Sequence, residues 1–190
     1  IFGFGGMQLF MAEVPGPTKD KLHPRIQETA KRLWIIYISF TVIETILLKL
    51  GGMTWFDAVN HSFTTMATGG YSTKQDSIAY FNSPFIHYVI IAFMVIAGTN
   101  FTLSYYALHF KLGKVFKNEE FRFYIGFIIF FTLIIAFFLW YFEGFDIETS
   151  FRDSLFQVTS IMTTTGYVTA DYLQWTPFIP VIIFVLMFFG

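Results

Sequence analysis

Thr64-Thr65-Met66-Ala67-Thr68-Gly69-Gly70-Tyr71-Ser72-Thr73 recurs later in the chain as Ser160-Ile161-Met162-Thr163-Thr164-Thr165-Gly166-Tyr167-Val168-Thr169. A shift of 96 positions superposes Met66 on Met162, Thr68 on Thr164, Gly70 on Gly166, Tyr71 on Tyr167 and Thr73 on Thr169. The same shift carries Asp57 onto Asp153 upstream, and Pro84 onto Pro180, Val89 onto Val185 and Phe93 onto Phe189 downstream. Matches kept on both sides of a polar loop describe one structural unit used twice. Each copy lies between long apolar segments, and that setting decides what the loop is for.

The flanks are too apolar for a water-soluble domain. Of 190 residues, 55% are hydrophobic, 22% aromatic and only 13% charged, with 27 phenylalanines. A soluble domain carries about 25% charged residues, so the chain reads as a polytopic membrane protein. The net charge of −1 argues nothing about nucleic acid, but no basic run is long enough to track a phosphate backbone, so no nucleic-acid partner is expected. Cysteine is absent, which excludes disulfides, thiolate metal sites and cysteine nucleophiles. No signal peptide is visible at the apolar N-terminus, and the last apolar run, Phe178–Gly190, is shorter than a bilayer span of about 20 residues. The chain is therefore expected to be part of a longer protein.

Outward from the repeated loop, the pattern is a unit of three parts. Residues 1–18 read as the end of a preceding inner helix, broken by Glu13-Val14-Pro15-Gly16-Pro17. The first unit, residues 19–118, begins with a basic connector (Lys19, Lys21, Arg25, Lys31, Arg32). A spanning segment from Ala30 to Leu50 follows, interrupted by Glu44 and ended by Gly51-Gly52. Trp55–Ala67 covers only about 20 Å as a helix, so it reads as a re-entrant half-helix leading into the loop. Pro84 opens the inner helix, whose charge-free run from Phe85 to Phe110 is interrupted at Gly98-Thr99-Asn100, the expected kink. The second unit, residues 119–190, repeats the order: spanning helix Phe123–Phe142, half-helix Phe151–Thr163, loop, and an inner helix opened by Pro180.

Lys and Arg concentrate in the two connectors between units; only Lys49, Lys74 and Arg152 flank the half-helices, among seven acids from Asp57 to Asp171. The positive-inside rule places the connectors in the cytoplasm and both half-helix loops outside.

Irregular backbone at membrane depth is tolerated only where protein buries it or water lines it. Two such loops predict a shared aqueous axis. Half-helix C-termini pointing into the membrane favour a cation there. Gly69, Gly70 and Gly166 take positive φ at no steric cost, so successive carbonyls can face one way and replace the water shell of a monovalent cation. Thr68, Thr164 and Thr165 add hydroxyl oxygens, and no Lys or Arg lies within either loop to hold an anion.

Ala67-Thr68-Gly69-Gly70-Tyr71-Ser72-Thr73 and Thr163-Thr164-Thr165-Gly166-Tyr167-Val168-Thr169-Ala170-Asp171-Tyr172 resemble the filter segments of the TrkH/KtrB superfamily of potassium transporters. The helix–half-helix–helix units around them resemble it too, over nearly the whole chain. The resemblance implies four unequal units around one pore, these being the second and third, more Trk-like than Ktr-like. It implies K+ as the transported ion, held at Thr68, Gly69, Gly70, Tyr71, Thr164, Thr165, Gly166 and Tyr167. It further implies a multi-pass protein of the bacterial inner membrane, a homodimer, and a cytoplasmic nucleotide-binding regulatory subunit of the TrkA-like kind. A gating loop is implied just beyond Gly190. Thr165 stands where Gly69 stands in the other copy, so imperfect filter symmetry is expected there.

Other residues have plainer readings. Glu44 at mid-membrane is costly and functional by default; on an outer helix it is expected to be a hydrogen-bonded strut to its own half-helix or loop. Asp57 and Asp153 sit where acids cap half-helices and neutralise their dipoles, with cation attraction at the outer mouth as the second reading. His23, His61, His87 and His109 show no metal-ligand spacing. Nothing gathers into a nucleophilic pattern, so an enzyme is not expected. The rival to a pore is a non-conducting structural subunit of a transport complex.

Overall fold

The computed structural model describes residues 26–100, 103, 104, 106 and 112–189. The readings placed on residues 1–18, and on His23 and His109, lie outside them. Every regular element among the described residues is helical.

Helix α1, Ile26–Leu50, is the first long helix. It stops at Gly51-Gly52, where Gly52 turns left-handed at φ +104°. Gly51 must be small, because a Cβ there would stand 2.7 Å from Ile86. Helix α2, Trp55–Met66, starts with Thr54 as N-cap, accepting from the Asp57 amide. The Thr54 hydroxyl in turn donates to Asp57 Oδ2 at 2.8 Å, so the capping hydroxyl is used both as acceptor and as donor. A 3₁₀ turn, Ser77–Tyr80, leads to α3, Pro84–Ala97, which begins at the proline and ends at Gly98. The interruption at residues 98–100 is where the sequence places it.

After the short α4, Leu112–Phe116, the second unit begins with α5, Glu119–Phe142. Asn118 caps it, and Glu119 and Glu120 complement its dipole. Helix α6, Ile147–Met162, is the second half-helix and starts four residues before the expected Phe151. The reason is Asp146, whose carboxylate accepts from the Thr149 amide at 3.1 Å and so caps one turn earlier. A 3₁₀ turn, Tyr172–Gln174, precedes α7, Phe178–Leu186. That helix starts two residues before Pro180, which sits in its first turn where its missing N–H has no intrahelical acceptor to lose.

Two helices, Leu33–Leu50 within α1 and α5, are long and apolar enough to cross a membrane; α3 is apolar but shorter. Both leave large apolar side chains bare, Trp34 at 68% and Phe123 at 74% among them, with Ile38, Phe130 and Leu133 also exposed. A buried helix of a soluble protein hides such residues; these face outward in bands suited to hydrocarbon. The interior is built in two clusters. One joins α1, α2 and α3 through Ile36, Phe40, Leu48, Ala58, Ile90 and Met94, and takes in Phe156 and Tyr167 from the second unit. The other joins α5, α6 and α7 through Ile135, Leu139, Val158 and Ile179. Phe156 and Tyr167 therefore dock the second unit onto the first.

Candidate ion-coordinating loops

Both half-helices end in the same six-residue lock. The Thr68 amide donates to Thr65 O and the Gly69 amide to Thr64 O; their counterparts are Thr164 to Ile161 O and Thr165 to Ser160 O. This is a Schellman termination, which requires a left-handed residue just past the cap. Threonine occupies that position in both copies, Thr68 at φ +49° and Thr164 at φ +57°. A β-branched residue there is strained by about 1–2 kcal/mol.

Gly70 at φ +62° and Gly166 at φ +85° are left-handed again, whereas Gly69 is not. Gly69 and Thr165 fall at the undemanding position between two left-handed residues. The sequence expectation assigned positive φ to all three glycines and missed the threonines; Gly69 does not need its freedom, and Thr165 repeats the backbone pattern without it. Thr165 is buried, and its hydroxyl meets that of Thr163 at 2.7 Å.

The loops touch each other. A Cβ on Gly70 would stand 1.9 Å from the Thr165 carbonyl oxygen and 3.3 Å from the Gly166 carbonyl carbon, so only a glycine lets the two loops close. Among the described residues, the carbonyls of Thr68, Gly69 and Gly70, and of Thr164, Thr165 and Gly166, accept no hydrogen bond. The carbonyls of Tyr71 and Tyr167 do: the Thr64 hydroxyl donates to Tyr71 O at 2.9 Å and the Ser160 hydroxyl to Tyr167 O at 2.7 Å. The two tyrosines thus mark where each loop is tied back to its half-helix. Their side chains differ. Tyr71 is 78% exposed, while Tyr167 is fully buried, its hydroxyl reaching Thr64 Oγ1 and His61 O on the first half-helix.

The acids at the half-helices do more than cap. Asp57 accepts from Thr73 Oγ1 at 2.5 Å and pairs with Lys74 at 3.6 Å. Burial works to raise its carboxyl, but the hydrogen bonds from Thr73 and Thr54, then Lys74, outweigh it and hold the group below the usual range. Asp153 accepts from Thr169 Oγ1 at 3.3 Å, with Arg152 Nε at 3.7 Å. Here burial dominates and lifts the carboxyl against the pull of Arg152, whose guanidinium also bonds Glu148 at 2.6 Å. Glu44 lies against Thr65 of its own half-helix, where a strut is expected. It is fully buried beside Thr65, yet neither carboxyl oxygen has a hydrogen-bond partner among the described residues. The bond joining α1 to α2 is made one residue on, between the hydroxyls of Thr45 and Ser62 at 2.6 Å. His87 is buried and held by Phe81 O, and among the described residues no cluster of His, Cys, Asp or Glu has metal-binding geometry.

Tandem helix–half-helix–helix units with bare apolar belts and loops meeting tip to tip define an all-helical membrane protein of pore-helix repeats. The chain belongs to the TrkH family of cation transport proteins, whose family model matches residues 1–190. It is a family of transporters, not of enzymes. The chain is 42% identical over 193 residues to the Trk system potassium uptake protein TrkH of Salmonella typhimurium (strain LT2). It is 34% identical over 192 residues to the Trk system potassium uptake protein TrkG of Escherichia coli (strain K12). Both alignments cover all of this chain and 40% of the relative, so the chain spans well under half the length of these proteins. Its fold resembles the crystal structure of the potassium transporter TrkH from Vibrio parahaemolyticus with a TM-score of 0.78 and 38% identity, over 87% of this chain and 36% of that one.

Proposed function

We propose that the protein containing this chain takes up potassium across the bacterial inner membrane, and that these two units supply part of its ion path. The observation that carries the reading is the pair of carbonyl triplets, Thr68–Gly70 and Thr164–Gly166, without protein donors and in contact across Gly70. A carbonyl at membrane depth needs a cation or water in place of a donor, and oxygen rings of this kind dehydrate monovalent cations. Thr68, Gly69, Gly70 and Tyr71 with Thr164, Thr165, Gly166 and Tyr167 form the K+ site of this reading. The tyrosines contribute by anchoring the loops, since their carbonyls are engaged. The names of the relatives support potassium as the ion.

In this reading residues 19–118 and 119–190 are successive pore units, and residues 1–18 close the unit before them. A homodimer and a TrkA-like nucleotide-binding subunit complete the assembly. The test is rubidium tracer uptake by the full-length protein in proteoliposomes, with potassium, sodium and lithium as competitors. Potassium is expected to compete far better than sodium or lithium. Equal competition by sodium would overturn the selective filter, and no flux, with or without nucleotide, would favour the non-conducting structural subunit.

A further inference from the structure

Behind the first loop, three side chains on one face of α2 meet three consecutive loop residues. Thr64, His61 and Asp57 are spaced by three and four, a single helical stripe, and they engage Tyr71, Ser72 and Thr73 in turn. Thr64 donates to Tyr71 O at 2.9 Å, His61 Nε2 meets Ser72 Oγ at 2.9 Å, and Thr73 donates to Asp57 at 2.5 Å. The donors are ordered by their surroundings. His61 Nδ1 faces the Asp57 carbonyl at 2.7 Å and so carries the proton, leaving Nε2 to accept from the Ser72 hydroxyl. That oxygen accepts from the Lys74 amide at 3.1 Å. His61 is completely buried.

The second unit keeps the outer rungs and lacks the middle one. Ser160 holds Tyr167 O, and Asp153 holds Thr169. At the places of His61 and Ser72 stand Gln157 and Val168, and the buried Gln157 side-chain oxygen has no hydrogen-bond partner among the described residues. Val168 is held instead by the first unit: Ala79 N donates to its carbonyl at 3.1 Å, and its own amide reaches Ser77 Oγ at 3.4 Å.

We infer that Asp57 and His61 are positioning residues for ion preference: they hold Ser72 and Thr73, and so fix the spacing of the Thr68–Gly70 carbonyls. This rests on the potassium-uptake reading above. A smaller cation such as sodium pulls carbonyls inward, and a loop tied at both ends of its carbonyl run resists that contraction; sites without such support loosen by about 1 Å and lose discrimination. The second loop has two rungs of its own and takes its hold at Val168 from the first unit.

The test uses the full-length protein in proteoliposomes and reads the ratio of sodium to potassium concentrations that halve rubidium uptake. Ser72→Val and Thr73→Val are expected to lower this ratio about fivefold, the worth of one hydrogen bond, with uptake retained. Ser72→Thr and Thr73→Ser, which keep the hydroxyls, are expected to restore it. In the other direction, Val168→Ser offers Gln157 a donor and is expected to raise the ratio. Wild-type ratios in the valine variants and in Val168→Ser would overturn the inference while leaving the filter reading intact. A wild-type protein that does not prefer potassium would overturn both. Should one valine variant fail to reach the membrane, the other decides: a lowered ratio supports the rungs and an unchanged ratio removes them.

Discussion

Gly70 is the residue on which the two units close, because its backbone lies against the Thr165 carbonyl at a left-handed φ. Two costs therefore meet in Gly70→Ala: strain of about 1–2 kcal/mol for a left-handed L-residue, and displacement of the Thr165 carbonyl. Displacing an ion-facing carbonyl by a few tenths of an ångström changes which ion fits. The expected outcome is a loss of potassium-over-sodium preference of about tenfold, taking about 1.4 kcal/mol as the differential penalty, read by rubidium uptake with competing sodium. The same substitution at Gly69, which is not left-handed and whose nearest foreign neighbour is the Tyr71 ring at 3.4 Å, is expected to leave the ratio within twofold of wild type. This contrast was not legible in the sequence, where Gly69 and Gly70 look alike. The 96-residue alignment held the clue, since Thr165 is tolerated opposite Gly69 while glycine recurs opposite Gly70. What the pattern could not show is that Thr68 and Thr164 take the strained position, because a Schellman termination is normally read from glycine.

At the scale of elements, the half-helices were readable because Trp55–Ala67 is too short to span and too apolar to lie exposed, and the repeat carries that reading to Phe151–Thr163. Their ends were less so. Asp146 caps α6 from within an acidic cluster that also reads as a solvated loop, and Pro180 looks like a first residue when it is a third. The contact that joins the half-helices across units was invisible, since nothing in the repeat distinguishes Tyr167 from Tyr71. Only Tyr167 buries its hydroxyl, against Thr64 and His61 O of α2. Tyr167→Phe removes a buried hydroxyl that bonds both partners, worth about 1–2 kcal/mol, and is expected to lower the melting temperature of the detergent-solubilised protein by about 2–4 °C. Tyr80→Phe is the control. Tyr80 is exposed, its ring 4.9 Å from the Lys74 ammonium and its hydroxyl unbonded among the described residues, and the melting temperature is expected to stay put.

For the molecule as a whole, orientation in the membrane decides which ends of the two loops an ion meets first. The cations on the half-helix side are all engaged locally. Lys74 pairs with Asp57, Arg152 with Glu148 and Asp153, and Lys49 reaches Met53 O and lies over Trp55. On the connector side Lys31, Lys117 and Arg122 are exposed, as expected for charges retained in the cytoplasm. With this polarity the N-termini of α2 and α6 and the acids Asp57 and Asp153 face outside, and the half-helix C-termini point inward at the carbonyl triplets, their partial negative charge favouring a cation. The chain contains no cysteine, so single cysteines placed in a cysteine-free full-length protein report the polarity directly. Gln75 and Lys117 are both exposed and lie on opposite sides of this arrangement. A membrane-impermeant maleimide added to intact cells is expected to label Gln75→Cys and to spare Lys117→Cys until the membrane is permeabilised. The reverse pattern would turn both half-helices around and leave the loops approached from the cytoplasm. In that case Asp57 and Asp153 would face the interior, and the path from outside would cross the connectors before reaching a carbonyl.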